Sequence, residues 1–443
     1  MVLSCESVIN EVVNKMNLYK TIENMLNNEK PYISMHVPGH KNNTIGYLSM
    51  IDSRFDMTEI QGLDDLHEPE GILNQINRNL SRKYSGYIAQ MMVNGTTNGI
   101  ISAIYALNNT TGRFVIVDKA HKSVYNGLHL TEADYIETTS VDFLNMSLSS
   151  ADTIIVTYPT YTGETIDIGQ IISYAHNQNA RVLTDEAHGA HLDIAPGFPE
   201  SSMVYGSDIT VQSYHKMLPA LTMASVIFMK SQSLHGEVMK YINCFETSSP
   251  SYLVMLSIES AHEFYKTYHP EDFFNKRTQI IEALQKQNII VEEKADPAKI
   301  MISHQKLTPY ELAKILTEYH HIQHEMVTDE GVLWCLPLFH KGDRYPLKML
   351  IERIDAVTSD MELSVRGAQI IETRDAPSFR DVGNLLNKVC RRSIVPYPPG
   401  IPLVHEGETI TRQHIKTITH NLSNHVRIEG IRHNIEYYKN EES

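Results

Sequence analysis

Cysteine is scarce in this chain of 443 residues: Cys5, Cys244, Cys335 and Cys390 stand far apart and form no CxxC pair. That excludes a disulfide scaffold and a structural zinc site, and it suits a reducing compartment. Positive charge is short too, with 38 Lys and Arg against 53 Asp and Glu, a net −15. So acidic a chain is poor at neutralising phosphates, so no nucleic acid and no anionic membrane is expected as a partner. Long apolar runs are missing. The longest charge-free stretch near the middle, between Lys216 and Lys230, is too short to span a bilayer and is broken by Pro219. The N-terminus meets Glu6 with no apolar segment of the secretory kind, so a cytoplasmic protein is expected. Repeats and Gly/Ser/Pro linkers are absent as well. With 42% hydrophobic and 21% charged residues the usage is that of an ordinary globular chain, long enough for a large core.

What is present is an alternation. After a polar helical stretch ending near Lys30 and an extended Pro/Gly segment, residues 86–230 alternate helical stretches with short β-branched runs. The runs are Arg113–Asp118, Thr153–Thr157, Arg181–Asp185, Ile209–Ser213 and Ser225–Met229. Most are apolar at consecutive positions, as strands buried on both faces of a parallel sheet must be. Helix is expected between them, for example at Ile168–Asn177. This predicts a three-layer α/β domain. Beyond about residue 285, strands at Asn288–Glu292 and Gly331–Leu336 and helices at Pro309–Tyr319 and Pro346–Ser364 predict a smaller α+β domain. The expected division is 1–45 (helix and arm), 46–285 (large domain) and 286–443 (C-terminal α+β domain).

Open parallel sheets bind ligands at the carboxyl ends of their strands, so the residues there carry the search for chemistry. The strands lead into DKAHKS, YPTYTG, DEAHGAH and SYHK. Ahead of them VNGTTNG opens an apolar helix, where free N–H groups and the hydroxyls of Thr96 and Thr97 would cradle a phosphate. DEAH also occurs in helicases, but that role needs a GxxxxGK[ST] loop, which this chain lacks. His188 and His191 could be read as metal ligands, yet their spacing follows a strand and not the i, i+4 face of a helix, and no resident metal is expected. The third reading joins Asp185 to Lys216: a buried lysine beside a strand-end carboxylate suits a Schiff-base site. Pyridoxal 5′-phosphate (PLP) would use all these parts, its phosphate at the helix start, its aldehyde on Lys216, its ring nitrogen against an anion and one ring face under His121.

These residues resemble the fold-type-I PLP-dependent ornithine/lysine/arginine decarboxylases in their short form. The similarity is carried by HVPGHK (His36–Lys41), GLDDLHEPEG (Gly62–Gly71), NGTTNG (Asn94–Gly99), AHKSV (Ala120–Val124), PTYTG (Pro159–Gly163), TDEAHGAH (Thr184–His191), QSYHKMLPALT (Gln212–Thr222), TSSPSY (Thr247–Tyr252) and PYPPGIP (Pro396–Pro402), in family order. The resemblance implies an aspartate-aminotransferase-like fold with a mostly parallel sheet. It implies Lys216 as the Schiff-base lysine and Asp185 as the partner of the ring nitrogen. His121 would stack on the ring with Ala187 opposite, Thr96, Thr97, Ser213 and His215 would hold the phosphate, and His188 would lie near the ring hydroxyl. It further implies a homodimer with shared active sites, in which TSSPSY and GLDDLHEPEG lie at the interface near the neighbour's site.

The expected activity is decarboxylation of lysine, ornithine or arginine, with His215 or Lys216 as the acid that protonates Cα. An aminotransferase or β-eliminating lyase of the same fold is the first alternative, although no arginine for an α-carboxylate sits in the strand-end motifs. A catalytically silent PLP-fold binding protein is the second. The chain departs from the family pattern in three places. Little precedes HVPGHK where long members carry a wing domain, LVHEGE replaces a proline before Gly-Glu, and Tyr214 stands where threonine is common.

Overall fold

The computed structural model describes residues 32–60, 63–357, 377–424 and 426–441. The helix expected before Lys30, part of GLDDLHEPEG and the end of the helix expected at Pro346–Ser364 lie outside these residues. The larger sheet has seven strands: β2 (Ile88–Met92), β3 (Arg113–Val117), β4 (Tyr135–Thr138), β5 (Asp152–Thr157), β6 (Arg181–Asp185), β7 (Ile209–Ser213) and β8 (Ser225–Met229), in the order β2-β8-β7-β6-β5-β3-β4. Its inner strands are buried almost throughout, because helices cover both faces.

Alternate residues of each strand feed different cores. On one side Phe114, Ile116, Ile155, Leu183 and Val211 pack with Ile100, Ile104 and Val124. On the other, Val115, Val117, Ile154, Val156 and Val182 pack with Ile168, Ile171 and Ile172. That period of two is what the pleat requires. The helix expected at Ile168–Asn177 forms over those residues, with Asp167 accepting the Gln170 N–H as its cap.

All pairings are parallel except those of β8, which is antiparallel to both β7 and β2. The connection from β7 to β8 explains the reversal: residues 214–224 contain one helical turn, too little for the crossover a parallel strand would need. As a result the start of β8 lies at the same edge as the ends of its neighbours. β2 and β4 were not among the runs expected from sequence. β4 is short and only partly buried, and β2, IAQMM, is as long as its neighbours but has a single β-branched residue and a central Gln90.

Beyond the large sheet, β9 (Ile289–Glu293), β10 (Lys299–His304), β12 (Met326–Val327) and β13 (Val332–Cys335) form an antiparallel sheet in the order β12-β13-β10-β9. Next to it, β1 (Ile33–Ser34) pairs in parallel with β11 (Ile322–Gln323), which ties the arm near the N-terminus to this part of the chain. The helix expected at Pro309–Tyr319 starts at Pro309 behind a Thr308–Glu311 capping box and loosens to π geometry over Ile315–Tyr319. Residues 377–441 hold a further pair, β14 (Val395–Tyr397) with β15 (Arg427–Glu429), around a core of their own that includes Val382, Ile394, Val404 and Ile418.

The large and small sheets are joined by buried charge. His191 Nε2 and Asp296 Oδ1, both fully buried, lie 2.8 Å apart, and Lys299 Nζ is 4.0 Å from Asp296 Oδ2. Lys299 also donates to the Tyr161 carbonyl at 3.0 Å, and the Asp296 N–H donates to the Gly163 carbonyl at 3.0 Å. Removing one member of such a group strands the others in a dry interior. Asp296→Ala should therefore cost about 3–5 kcal/mol of stability, read from the denaturant midpoint at unchanged slope. A loss under about 1 kcal/mol, the range of an exposed pair, would show that the group does not hold the two sheets together.

Candidate active site

The strand ends meet in one cavity of about 1070 Å³. Every residue expected from sequence to serve PLP lines it: Thr96, Thr97, His121, Asp185, Ala187, His188, Ser213, His215 and Lys216. Fold geometry explains the convergence. β3, β5, β6 and β7 end there, the helix Gly95–Asn108 begins there after β2, and Thr222 and Met223 arrive just before the reversed β8.

Lys216 sits on the single helical turn Tyr214–Met217 after β7. Its amine is 3.1 Å from His188 Nε2. Burial pushes the Lys216 pKa down, against the opposing pull of the Asp185 and Glu325 charges. Asp185, 3% exposed, ends β6, and its Oδ1 accepts the Ala187 N–H at 3.0 Å. Burial pushes this carboxyl up, while Lys216 and the Ala187 N–H pull it back; a cation placed against it would hold it ionised.

The three histidines of the cavity are held neutral. Burial, helped by the Lys216 and Lys122 charges, takes His121 down to about 3. Burial and Lys216 depress His188 well below the ordinary imidazole range. His215 falls to about 4, again mainly through burial, although the Ala224 carbonyl resists. That carbonyl lies 3.1 Å from His215 Nδ1 and has no proton to give, so Nδ1 carries the proton and Nε2 is left as an acceptor. His121 caps the helix Lys122–Leu130 by accepting the Ser123 N–H at Nδ1, 3.2 Å away.

The remaining groups suit an anion and an aromatic ring. The Gly95–Asn108 helix starts without a side-chain cap on its first N–H groups, and Thr96 Oγ1 and Ser213 Oγ lie 2.9 Å apart beside it. A phosphate matches that start, a ring nitrogen matches the buried Asp185 carboxylate, and an aldehyde matches the buried Lys216 amine. His188 Nδ1 is buried without a hydrogen-bond partner among the described residues, a donor left over for a bound group. The set of residues fits PLP.

Sequence reasoning missed part of the wall. Tyr161 packs its ring on His188, centroids 4.4 Å apart at 63°; it lies just beyond the end of β5, where the strand-end rule could have named it. Tyr397, Pro399 and Ile401 of PYPPGIP also line the cavity. Gly400, at φ +85°, stands so near His121 that a Cβ there would meet Nε2 at 2.8 Å. Nothing in local sequence could have placed this loop over His121. His191 points elsewhere, into the Asp296 pair. TSSPSY and the described residues of GLDDLHEPEG do not line the cavity of their own chain, but they meet each other where the Tyr252 hydroxyl donates to the Asp64 carbonyl.

Comparison with known proteins adds the lineage. A family model described as Orn/Lys/Arg decarboxylase, major domain, matches residues 18–146 and 136–306. The chain is 30% identical over 448 residues to the uncharacterized protein YaaO of Bacillus subtilis (strain 168), covering 90% of this chain and 92% of that one. It is 26% identical over 461 residues to an arginine decarboxylase of the same organism, at the same coverage. Among solved structures, the constitutive lysine decarboxylase of E. coli superposes with a TM-score of 0.62 at 14% identity, over 97% of this chain and 83% of that one. That last likeness shows the fold-type-I architecture alone. The family match spans well over half of the sequence: the chain belongs to the Orn/Lys/Arg decarboxylase family, and its cofactor is PLP.

Proposed function

We propose that this protein decarboxylates a basic amino acid, lysine, ornithine or arginine, to the corresponding amine and CO2. The observation that carries the reading is a desolvated amine, Lys216, in one cavity with a buried carboxylate, Asp185. When bound, PLP supplies an electron sink for the bond broken at the substrate's Cα. The chain's own groups do the rest. Lys216 would hold the cofactor through its amine, and when not so engaged that amine could carry a proton. Asp185 would keep the ring nitrogen protonated. Thr96, Thr97 and Ser213 would hold the phosphate, with His215 beside them, and His121 and Ala187 would face the ring, with Gly400 backing His121.

Of the two acids considered for Cα, the geometry favours Lys216. A neutral His215 that donates from Nδ1 to a carbonyl offers only an acceptor at Nε2, so it has no proton to deliver. The mouth of the cavity carries Asp118, Glu137 and Asp142, carboxylates that favour a substrate with a cationic tail. No arginine is among the described lining residues. That supports a decarboxylase over an aminotransferase, which uses an arginine for the α-carboxylate it retains; besides Lys216 the lining cation is Lys119, next to Asp118.

We further propose a homodimer. Met50, Phe55, Met57, Ile60 and Ile72 are exposed apolar side chains crowded into one segment beside Asp64 and Tyr252. Apolar surface gathered in this way marks an interaction face, and a second copy is the partner that the family relation supplies.

Incubation of the PLP-loaded protein with lysine, ornithine and arginine should release CO2 and a diamine or agmatine from at least one of them. Borohydride reduction and peptide mapping should find PLP on Lys216, and Lys216→Ala should abolish both signals. PLP fixed to another lysine would end the assignment. Asp185→Asn should keep PLP bound while turnover falls by about two orders of magnitude, the scale at which one positioned charge is felt; near-normal turnover would mean that another group serves the ring nitrogen. For the dimer, mixing inactive Lys216→Ala with an inactive variant at Glu68, Glu70 or Ser248 should restore up to about a quarter of wild-type sites, since half the dimers are hybrid with one intact site each. Full activity of a monomer in light scattering, or no recovery in any mixture, would overturn shared sites.

A further inference from the structure

HVPGHK, His36–Lys41, gives no side chain to the cavity, yet it touches the site twice. The Gly39 N–H donates to the His215 carbonyl at 2.9 Å. Contact there is so close that a Cβ on Gly39 would lie 2.6 Å from the Leu218 carbonyl oxygen and 2.7 Å from that of Met217. A glycine is needed for the arm to lie against the turn that bears Lys216. Just before it, the arm reaches Glu325, next to the start of β12. Glu325 Oε2 accepts the Val37 N–H at 2.9 Å and lies 2.5 Å from His36 Nδ1, a close contact off the axis of a hydrogen bond.

The other oxygen of Glu325 points the opposite way. Oε1 accepts the Tyr161 hydroxyl at 2.6 Å. Tyr161 sets its ring against His188, and His188 Nε2 meets the Lys216 amine. One carboxylate thus reaches the lysine by two routes, through the backbone of its turn and through the side chain that holds its amine. Glu325 is 4% exposed, and burial alone would push its carboxyl up; His36, Tyr161 and Val37 outweigh burial and hold it down at about 2. Burying a charge at a seam between chain segments is costly where an apolar contact would close it, unless the direction of its contacts matters.

We propose that Glu325 is a positioning residue for Lys216, locking Tyr161 and with it the His188 ring, while pinning the arm that braces the lysine turn. The inference rests on Lys216 as the lysine that takes PLP. It gives HVPGHK a function: the motif is a clasp, and Glu325 is where it closes.

The test uses cofactor-free protein. PLP is added, its attachment to Lys216 is followed by absorbance and by borohydride-trapped peptide maps, and the thermal midpoint is measured alongside. Glu325→Ala should slow attachment by about tenfold or more, since small misplacements of a reacting group cost at least that much. Glu325→Gln, which still accepts from Tyr161, should recover part of the rate. Tyr161→Phe keeps the ring and loses only the hydroxyl, so it should fold even where Glu325→Ala does not, and should slow attachment several-fold. Arg344→Ala is the control. It loosens the same arm elsewhere by removing the Nη2 donor to the Asn43 carbonyl at 2.6 Å, while the backbone N–H of residue 344 still donates to the Thr44 carbonyl. It should lower the midpoint and leave attachment within about twofold, the span of a peripheral hydrogen bond. In the loaded enzyme Glu325→Ala should lower kcat with little change in KM. A wild-type attachment rate in both Glu325→Ala and Tyr161→Phe, or an equal loss in Arg344→Ala, would overturn the proposal. PLP found on another lysine would instead overturn the assignment of Lys216, a separate failure.

Discussion

Desolvation of one amine governs the rest of this structure. Lys216 is half-buried just after the end of β7, where its surroundings disfavour its charge and its nearest polar partner, His188, is itself held neutral. A lysine in that state is a usable nucleophile only if water stays out and its direction is fixed. Both conditions fall on neighbours far apart in sequence: Asp185 from β6, Tyr161 from beyond β5, the arm at Gly39, and the PYPPGIP loop over His121. The antiparallel turn of β8 serves the same end. It folds residues 214–224 back over the sheet edge, so that the His215 Nδ1 meets the Ala224 carbonyl and the lysine turn is closed at its base.

Burying charge around such an amine creates a debt that the seam between the sheets must cover. Three sets of charged contacts do so at different depths, the first two buried and the third half-exposed. His191–Asp296–Lys299 joins the large and small sheets, Glu325 joins the arm, the small sheet and Tyr161, and Lys122–Glu429, with nitrogen and oxygen 2.6 Å apart, joins the helix behind His121 to residues 377–441. None is an isolated surface pair. Each sits on an element that also lines or backs the cavity, so stability of the seam and geometry of the site are the same contacts seen from two sides.

How much of this was legible in the sequence follows from what kind of interaction places each residue. Strands β3, β5, β6, β7 and β8 could be read from runs of apolar residues, because burial on both faces leaves a continuous signal. β2 and β4 are the two edge strands; β4 is short and half-exposed, and β2 has little β-branched content, so neither left such a run. Lys216, Asp185, His121 and Thr96 could be read because strand ends converge by topology, whatever the side chains beyond them do. Glu325 and Gly400 could not. They reach the site across the chain from segments whose local pattern says only strand or turn, and their meaning lies in a partner more than a hundred positions away. The single smaller domain expected after residue 285 also hid a division. Residues 377–441 bury a core separate from that of the β9–β13 region, and no composition shift marks the change.

The protonation pattern narrows the chemistry beyond the family relation. Decarboxylation consumes a proton at Cα, and a site that performs it needs one mobile proton close to the ring and few competing ones. His121, His188 and His215 are all held neutral, each chiefly by burial, and His215 Nδ1 is committed to the Ala224 carbonyl. On the proposed reading, that leaves the Lys216 amine as the group beside the cofactor site whose proton can come and go. On the same reading, a substrate carboxylate lies among the neutral His121, His188 and His215, with no arginine among the described lining residues and with Asp118, Lys119, Glu137 and Asp142 out at the mouth. It is poorly solvated there and gains by leaving as neutral CO2. An aminotransferase must keep that carboxylate and return it to water, so the same cavity would penalise it at every turnover.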